Sequence, residues 1–442
     1  MEHLTEEELY NILNGDSDNE LLEDQASDDD ADPNYELESE NEEEQENNGI
    51  REVEQIANPG EYTWRPVGEL NELTQLHFNP RADVVGVNPD ILETMIDANP
   101  IDFLELFVTE DVINYLVIET NRYANQRLAN TRLSAGARMN KWVNTTVKEM
   151  KLFLGMIIYM GILVLPTVAH YWRKSSIFTS VLPKYMSRNR FELLLSNFHC
   201  ANNEEAPVPN NRLHKIQSLV DMLVENFQLV VNPGEDMCID ESIIPFRGRL
   251  VFRQYVKNKT HPYGIKIFKM CVKDCYTVSY KIYAGREATP NTDVATKVVL
   301  ELVEQYLNMG RTLYVDNWYT SVRLADALLQ KNTHLVGTLR KNRKFNPPNV
   351  VNKSLRRGEI TAQKNNKNIV ILKWKDRRDV LMLSTKHVDN MQTVEKRGRE
   401  VTKPAAVFDY NKGKSFIDLS DQMGAYSGCL RRGVKWFRSR SE

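Results

Sequence analysis

Cysteine is scarce in this 442-residue sequence: only Cys200, Cys238, Cys271, Cys275 and Cys429 occur. The number is odd, the spacing is wide and no apolar leader precedes them, which argues against a disulfide scaffold and for a reducing compartment. No paired C-x-x-C and histidine set exists, so no zinc site can be read. Cys271 and Cys275, in and just after an apolar strand-like run, read as buried thiols. Long apolar runs are missing as well. The longest uncharged one, 152–166, is too short to cross a bilayer and reads as a buried core helix, so no membrane partner is expected. Also absent are G-x-x-x-x-G-K-[ST], G-x-G-x-x-G and H-E-x-x-H, which removes the P-loop, dinucleotide and zincin templates. The eight histidines are dispersed; His199 reads as a helix-end residue and His214 as a surface one.

Base is nearly missing from the first 60 residues, which hold 22 Asp and Glu against the single Arg51. That composition cannot bury enough apolar surface to order, so 1–60 reads as an acidic disordered tail. The overall charge of −5 therefore conceals a body, 61–442, with 55 bases against 39 acids, a net of +16. A body that basic points to a polyanionic partner, nucleic acid first. The excess is concentrated: residues 340–403 carry 18 Lys and Arg against 6 acids, a net of +12.

Periodicity divides the rest. Residues 61–97 read as a linker with the anchors Trp64 and Phe78. From 98 to 235 the pattern is mostly helical, with starts at Pro100 and Asp102 and at Thr109, a helix over 146–163 and another over 215–227. The period then changes. Strands are expected over 236–246, 263–272 and 277–283, the last with Val278, Tyr280 and Ile282 on one face. A helix bearing Ala295, Val299, Leu302, Val303 and Tyr306 follows, then a strand over 312–315, a helix over 322–329 and a strand over 334–339. Three strands, helix, strand, helix, strand is the element order of a ribonuclease-H-like nuclease core. Residues 340–404 form a basic, β-containing stretch with strand-like runs at 369–374 and 380–384. A helix opens over 415–423. The expected class is therefore α/β.

Metal-assisted phosphodiester cleavage needs carboxylates that converge from separate elements on two Mg²⁺ or Mn²⁺ ions. Sequence can show only an acid at the end or middle of an apolar strand, where an unpaired charge is costly. Asp240, after Met237-Cys238-Ile239, and Asp316, after Leu313-Tyr314-Val315, both fit. In the expected core their strands are neighbours. Asp418 and Asp421, spaced i and i+3, share a face of the late helix. The competing readings are a turn or helix cap for Asp316 and a capping acid for Asp418. Arg247 and Arg249 could position phosphate or be exposed strand-end arginines, and Trp318 reads as core packing before base stacking.

Three segments, Ile239-Asp-Glu-Ser-Ile-Ile-Pro-Phe-Arg-Gly-Arg249, Tyr314-Val-Asp-Asn-Trp-Tyr-Thr-Ser321 and Phe416-Ile-Asp-Leu-Ser-Asp-Gln-Met423, resemble the catalytic blocks of piggyBac transposases. Supporting stretches are His170-Tyr-Trp172, Met186-Ser-Arg-Asn-Arg-Phe191, Arg212-Leu-His-Lys-Ile216, Tyr263-Gly-Ile-Lys266 and Gly337-Thr-Leu-Arg-Lys-Asn-Arg343. The resemblance covers roughly 98–440 and implies a cut-and-paste DNA transposase that inserts at TTAA, acts as a homodimer and works in the nucleus. It implies metal binding by Asp240, Asp316 and Asp418, with Asp421 associated with the same site. The helical part 98–235 becomes a dimerisation and DNA-binding domain. The basic stretch becomes a DNA-contacting insertion domain, with Arg340, Lys341, Arg343, Lys344, Arg377 and Arg378 as contacts; the core then resumes over 405–427, and 428–442 begins a further, truncated helical segment. Arg340-Lys-Asn-Arg-Lys344 and Lys396-Arg-Gly-Arg399 read equally as nuclear-entry signals or DNA-facing loops. Against the family pattern, this sequence stops at Glu442 without a cysteine-rich zinc-binding tail and reads as C-terminally truncated. Alternatives are a domesticated, non-catalytic DNA- or chromatin-binding protein and a dimerising decoy.

Overall fold

The computed structural model describes residues 61–426 apart from 68–72, 74, 81–84, 131, 175–176, 206–210, 247–249, 251, 257–262, 286–293 and 397–398. The acidic tail 1–60, Arg247, Arg249 and the segment 428–442 lie outside the described residues. Two short strands, β1 (Trp64–Pro66) and β2 (Gly86–Val87), precede a run of helices: α1 (Pro89–Thr94), α2 (Pro100–Glu105), α3 (Glu110–Asn130), α4 (Val147–Ile162), α5 (Arg188–Asn197) and α6 (Gln217–Val230). Their starts are fixed locally. The Asn99 N–H donates to Asp102 Oδ2 at 2.7 Å, and the Thr146 and Ser187 hydroxyls accept the N–H groups of Glu149 and Arg190. Such caps satisfy donors that the first turn leaves open.

The apolar stripe of α3 (Val112, Ile113, Leu116) meets that of α4 (Met150, Phe153, Met156, Met160), and Tyr171, Phe191 and Leu194 close the same cluster. The Glu149 carboxylate on α4 accepts from Arg190 on α5, pinning the two helices. His199, just beyond α5, is buried, stacks on Tyr123 at 4.2 Å and bonds Asn203. Helix α6 couples this body to the sheet: Phe107 and Phe227 meet edge-on at 5.4 Å, and the Tyr276 hydroxyl donates to the Phe227 carbonyl at 2.7 Å.

After β3 (Val231–Asn232) come β4 (Asp236–Pro245), β5 (Gln254–Tyr255), β6 (Tyr263–Val272), β7 (Thr277–Ile282), helix α7 (Val294–Val303), β8 (Thr312–Val315), helix α8 (Val322–Leu329) and β9 (His334–Thr338). β6 lies antiparallel between β4 and β7, while β8 lies parallel between β4 and β9. The spatial order is thus β7-β6-β4-β8-β9. A register shift at Met270/Cys271 puts Ser279 as well as Val278 and Ile282 among the buried residues of β7 and leaves Tyr280 half-buried, so the expected alternation is broken there.

Both faces of this sheet are covered, so its strands are apolar on both sides. Met237 and Ile239 of β4 and Leu313 and Val315 of β8 join the cluster that holds α7 and α8. The intervening Cys238 and Tyr314 face the opposite side.

Residues 340–404 supply helix α9 (Pro348–Val351), then β10 (Ile360–Asn365), β11 (Val370–Lys375) and β12 (Asp379–Ser384), followed by a separate ribbon of β13 (Met391–Lys396) and β14 (Arg399–Pro404). The first three strands continue the sheet: β12 pairs β9 through Met382↔Thr338, and β11 and β10 follow. The reason is apolar. Ile371 and Leu383 enter one face cluster, while Leu372, Trp374 and Met382 enter the other. The segment expected as a linker adds β1 to the edge, with Trp64↔Asn365, and Trp64 Nε1 donates to the Phe345 carbonyl at 3.1 Å. Phe78 lies under the Arg311 guanidinium at 5.4 Å.

The last helix, α10 (Ala405–Tyr426), begins ten residues before the expected 415. Its Gly413 interrupts the helical sequence pattern for a packing reason: a Cβ there would sit 2.2 Å from the Tyr314 ring. Ala406, Val407, Tyr410, Phe416 and Ile417 seal the second face of the sheet. Among the described residues, no helix is long and apolar enough to cross a membrane.

Candidate metal centre

In parallel register, Val315 of β8 stands beside Ile239 of β4. Asp240 is therefore the first β4 residue past the end of β8, where Asp316 leaves the strand. Asp316 is fixed by its own loop: its carboxylate accepts the Trp318 N–H at 2.8 Å, and its carbonyl accepts the Thr320 N–H at 3.1 Å and hydroxyl at 2.7 Å. The loop sits so close to β9 that a Cβ at Gly337 would lie 2.3 Å from Thr320 Oγ1 and 2.5 Å from the Val315 carbonyl. Trp318 stacks on Phe268 at 5.6 Å, with the Lys266 ammonium 4.7 Å above its ring. Core packing is thus its observed role.

Glu241 follows Asp240 in the strand, and its carboxylate accepts the Tyr319 hydroxyl at 3.4 Å. One carboxylate oxygen each from Asp240, Glu241 and Asp316 lie within 4.8 Å of one another. Burial raises the pKa of Asp316 and the Glu241 charge raises it further, against the Trp318 N–H and the cations Arg340 and Lys414. The neighbouring Tyr319 hydroxyl is pushed well up, by burial first and then by Glu241, Asp240 and Asp316. Three crowded, partly desolvated carboxylates repel one another and offer oxygen donors alone. That donor set fits a hard divalent cation such as Mg²⁺ or Mn²⁺.

The structure brings Asp240 and Asp316 together and adds Glu241, which the sequence reading passed over. Its signal was present: a second acid directly after the strand acid, at the point where the neighbouring strand ends. Asp418 and Asp421 stand on α10, outside this trio of oxygens. Asp418 is exposed, and its charge helps raise the buried Cys238 thiol, whose shift comes first from burial. Asp421 accepts from the Lys269 ammonium at 2.6 Å and from the Ser242 hydroxyl.

Of the basic positions, Arg340 is exposed and its Nε donates to Asn317 Oδ1 at 2.9 Å. Arg343 donates to the Asn317 and Trp318 carbonyls. Both therefore hold the loop behind Asp316, with exposed Lys341 and Lys344 beside them. Arg377 and Arg378 are exposed in the turn joining β11 to β12. Because β12 runs antiparallel to β9 from beyond Thr338, that turn lies at the same end of the sheet as Asp316.

A mixed sheet of this order, with an acid inside β4 and another at the end of the neighbouring parallel strand β8, is a ribonuclease-H-like core. The family model described as Transposase IS4 matches residues 99–439. The chain belongs to the piggyBac transposase family. Human PiggyBac transposable element-derived protein 3 is 26% identical over 386 residues, covering 82% of this chain and 62% of that protein. Human PiggyBac transposable element-derived protein 2 is 26% identical over 361 residues, covering 78% and 59%. The chain thus spans about three fifths of the length of these curated relatives. The cryo-EM structure of a piggyBac transposase synaptic complex with hairpin DNA superposes with a TM-score of 0.66 at 26% identity, covering 80% of this chain and 73% of that one.

Proposed function

We propose that this chain is a metal-dependent DNA transposase that cuts duplex DNA at transposon ends and joins it to TTAA targets. The observation that carries this reading is the convergence of Asp240 and Glu241, inside β4, with Asp316, where the neighbouring strand β8 ends. Asp240 and Asp316 would hold the cation from adjacent strands with Glu241 as a third donor, and Asp418 would complete the set from α10. When bound, Mg²⁺ or Mn²⁺ supplies charge neutralisation at the scissile phosphate and at the attacking and leaving oxygens. The chain's own residues set the geometry. The Trp318 N–H and the Thr320 hydroxyl fix the Asp316 turn, and Arg340 and Arg343 brace it from outside. Exposed Lys341, Lys344, Arg377 and Arg378, at the same sheet end, would grip backbone phosphates and make binding fall steeply with salt. The DNA partner is supported by the synaptic complex with hairpin DNA of the solved relative; action as a homodimer in the nucleus belongs to the same proposal.

The test is Mn²⁺-dependent cleavage of duplex DNA carrying the inverted repeats that flank this gene, each next to TTAA, with Asp240→Ala as control. Cleavage at the repeat ends that disappears in the variant supports the reading. Salt-sensitive binding without cleavage, equal in both proteins, overturns it and leaves a transposase-derived DNA-binding protein.

A further inference from the structure

Lys269 is buried at 7% exposure, although lysine is among the residues least often found inside. It sits on β6 directly opposite Asp240. Cross-strand partners share a face, so its side chain projects to the side that α10 covers. There its ammonium donates to Asp421 Oδ1 at 2.6 Å and to Ser420 Oγ at 3.1 Å. The Ser242 hydroxyl donates to the same Asp421 oxygen, and the Thr277 hydroxyl meets Ser420 Oγ at 3.2 Å. Three strands thus send Ser242, Lys269 and Thr277 to a two-residue stretch of one helix. Asp418 is one turn earlier on that helix.

We infer that Lys269 is an internal cation that occupies Asp421 and competes with divalent metal for it. Lys269 would be a positioning residue with two effects. It withdraws Asp421 from the metal donors, and it sets the register of α10 that presents Asp418 towards the Asp240 edge. The geometry supports both. The pair is close, Asp421 also accepts a hydroxyl, and a desolvated ammonium of this kind holds its carboxylate against competition. The Asp421 side chain keeps 34% exposure, so losing Lys269 leaves a carboxylate that water can solvate rather than a buried orphan. The inference rests on the metal reading of the Asp240 site.

The experiment is calorimetric titration of Mn²⁺ into the full chain and its variants, with thermal melts to confirm folding. Lys269→Met should tighten Mn²⁺ binding about three- to tenfold, because Asp421 is released and a nearby positive charge removed. Lys269→Gln, which keeps a hydrogen-bond donor without charge, should shift in the same direction. Lys269→Arg should retain the wild-type affinity, and the gain should vanish in Lys269→Met/Asp421→Asn. Weaker binding in Lys269→Met and Lys269→Gln would mean that Asp421 is already a ligand oriented by Lys269, which overturns the inference. Asp240→Asn addresses the underlying site separately and should weaken binding by about tenfold or more. If it does not, the metal reading fails and this inference fails with it.

Discussion

Two glycines on α10 make a matched pair for testing how that helix is seated. Gly413 faces the sheet, and a Cβ there would lie 2.2, 2.3 and 2.8 Å from three atoms of the Tyr314 ring. Carbon atoms want about 3.5 Å or more, so the helix or the ring would have to move by roughly 1 Å. The ring has nowhere to go: Tyr314 is fully buried, and its hydroxyl donates to Asp236 at 3.0 Å. Gly424, on the same helix, would place its Cβ in open space. Overpacking of this kind costs about 1–3 kcal/mol, offset by the helix propensity gain of about 1 kcal/mol for alanine over glycine. Gly413→Ala should therefore lower unfolding stability by up to about 2 kcal/mol, and Gly424→Ala should raise it by up to about 1 kcal/mol. Urea unfolding followed by circular dichroism measures both. Mn²⁺ titration adds a second readout, because lifting α10 carries Asp418 away from Asp240. If Gly413→Ala is as stable as Gly424→Ala and binds Mn²⁺ equally well, the seating of α10 described above is wrong.

Two further outcomes are expected. Burial holds the His199 pKa down at about 4 from 6.5, the Asn203 bond pulling it up and Lys215 pushing it lower. The folded chain therefore binds fewer protons there than the unfolded one, so the contribution is complete above 6.5 and is lost as pH falls towards 4. His199→Phe, which keeps the stack on Tyr123, should flatten the decline of thermal stability across that window, and an unchanged slope would refute the assignment. Arg343→Ala should cost about 1–3 kcal/mol without any DNA, because it removes charge-assisted bonds to the Asn317 and Trp318 carbonyls, whereas exposed Lys344→Ala should stay within about 0.5 kcal/mol. Equal melting temperatures for the two variants would contradict the bracing role.

Much of the central sheet is legible in the sequence because its strands are apolar runs bounded by punctuation. The expected 263–272, 312–315 and 322–329 coincide with β6, β8 and α8 as observed. What sequence hides is assembly. β10 reads Ile360-Thr-Ala-Gln-Lys-Asn365, without alternation, and is a strand because β11 and β1 flank it. The first half of α10 is obscured by Asn411-Lys-Gly-Lys414, whose glycine answers to a tyrosine almost a hundred residues earlier. Asp240 and Asp316 stand out as acids on apolar strands. Glu241 does not, because its approach depends on where a different strand stops. Nor can spacing reveal that Asp421 meets a lysine from β6.

The continuity of β8, β9 and β12 has a mechanical meaning. The turn bearing Arg377 and Arg378 and the loop bearing Asp316 are ends of strands joined by two ladders of backbone hydrogen bonds. Under the proposed function, grip and blade would be cast in one piece, at a reach set by strand spacing. A stiff polymer seated on that turn would be offered to the carboxylates at one fixed offset, so any misfit would be taken up by distortion of the polymer.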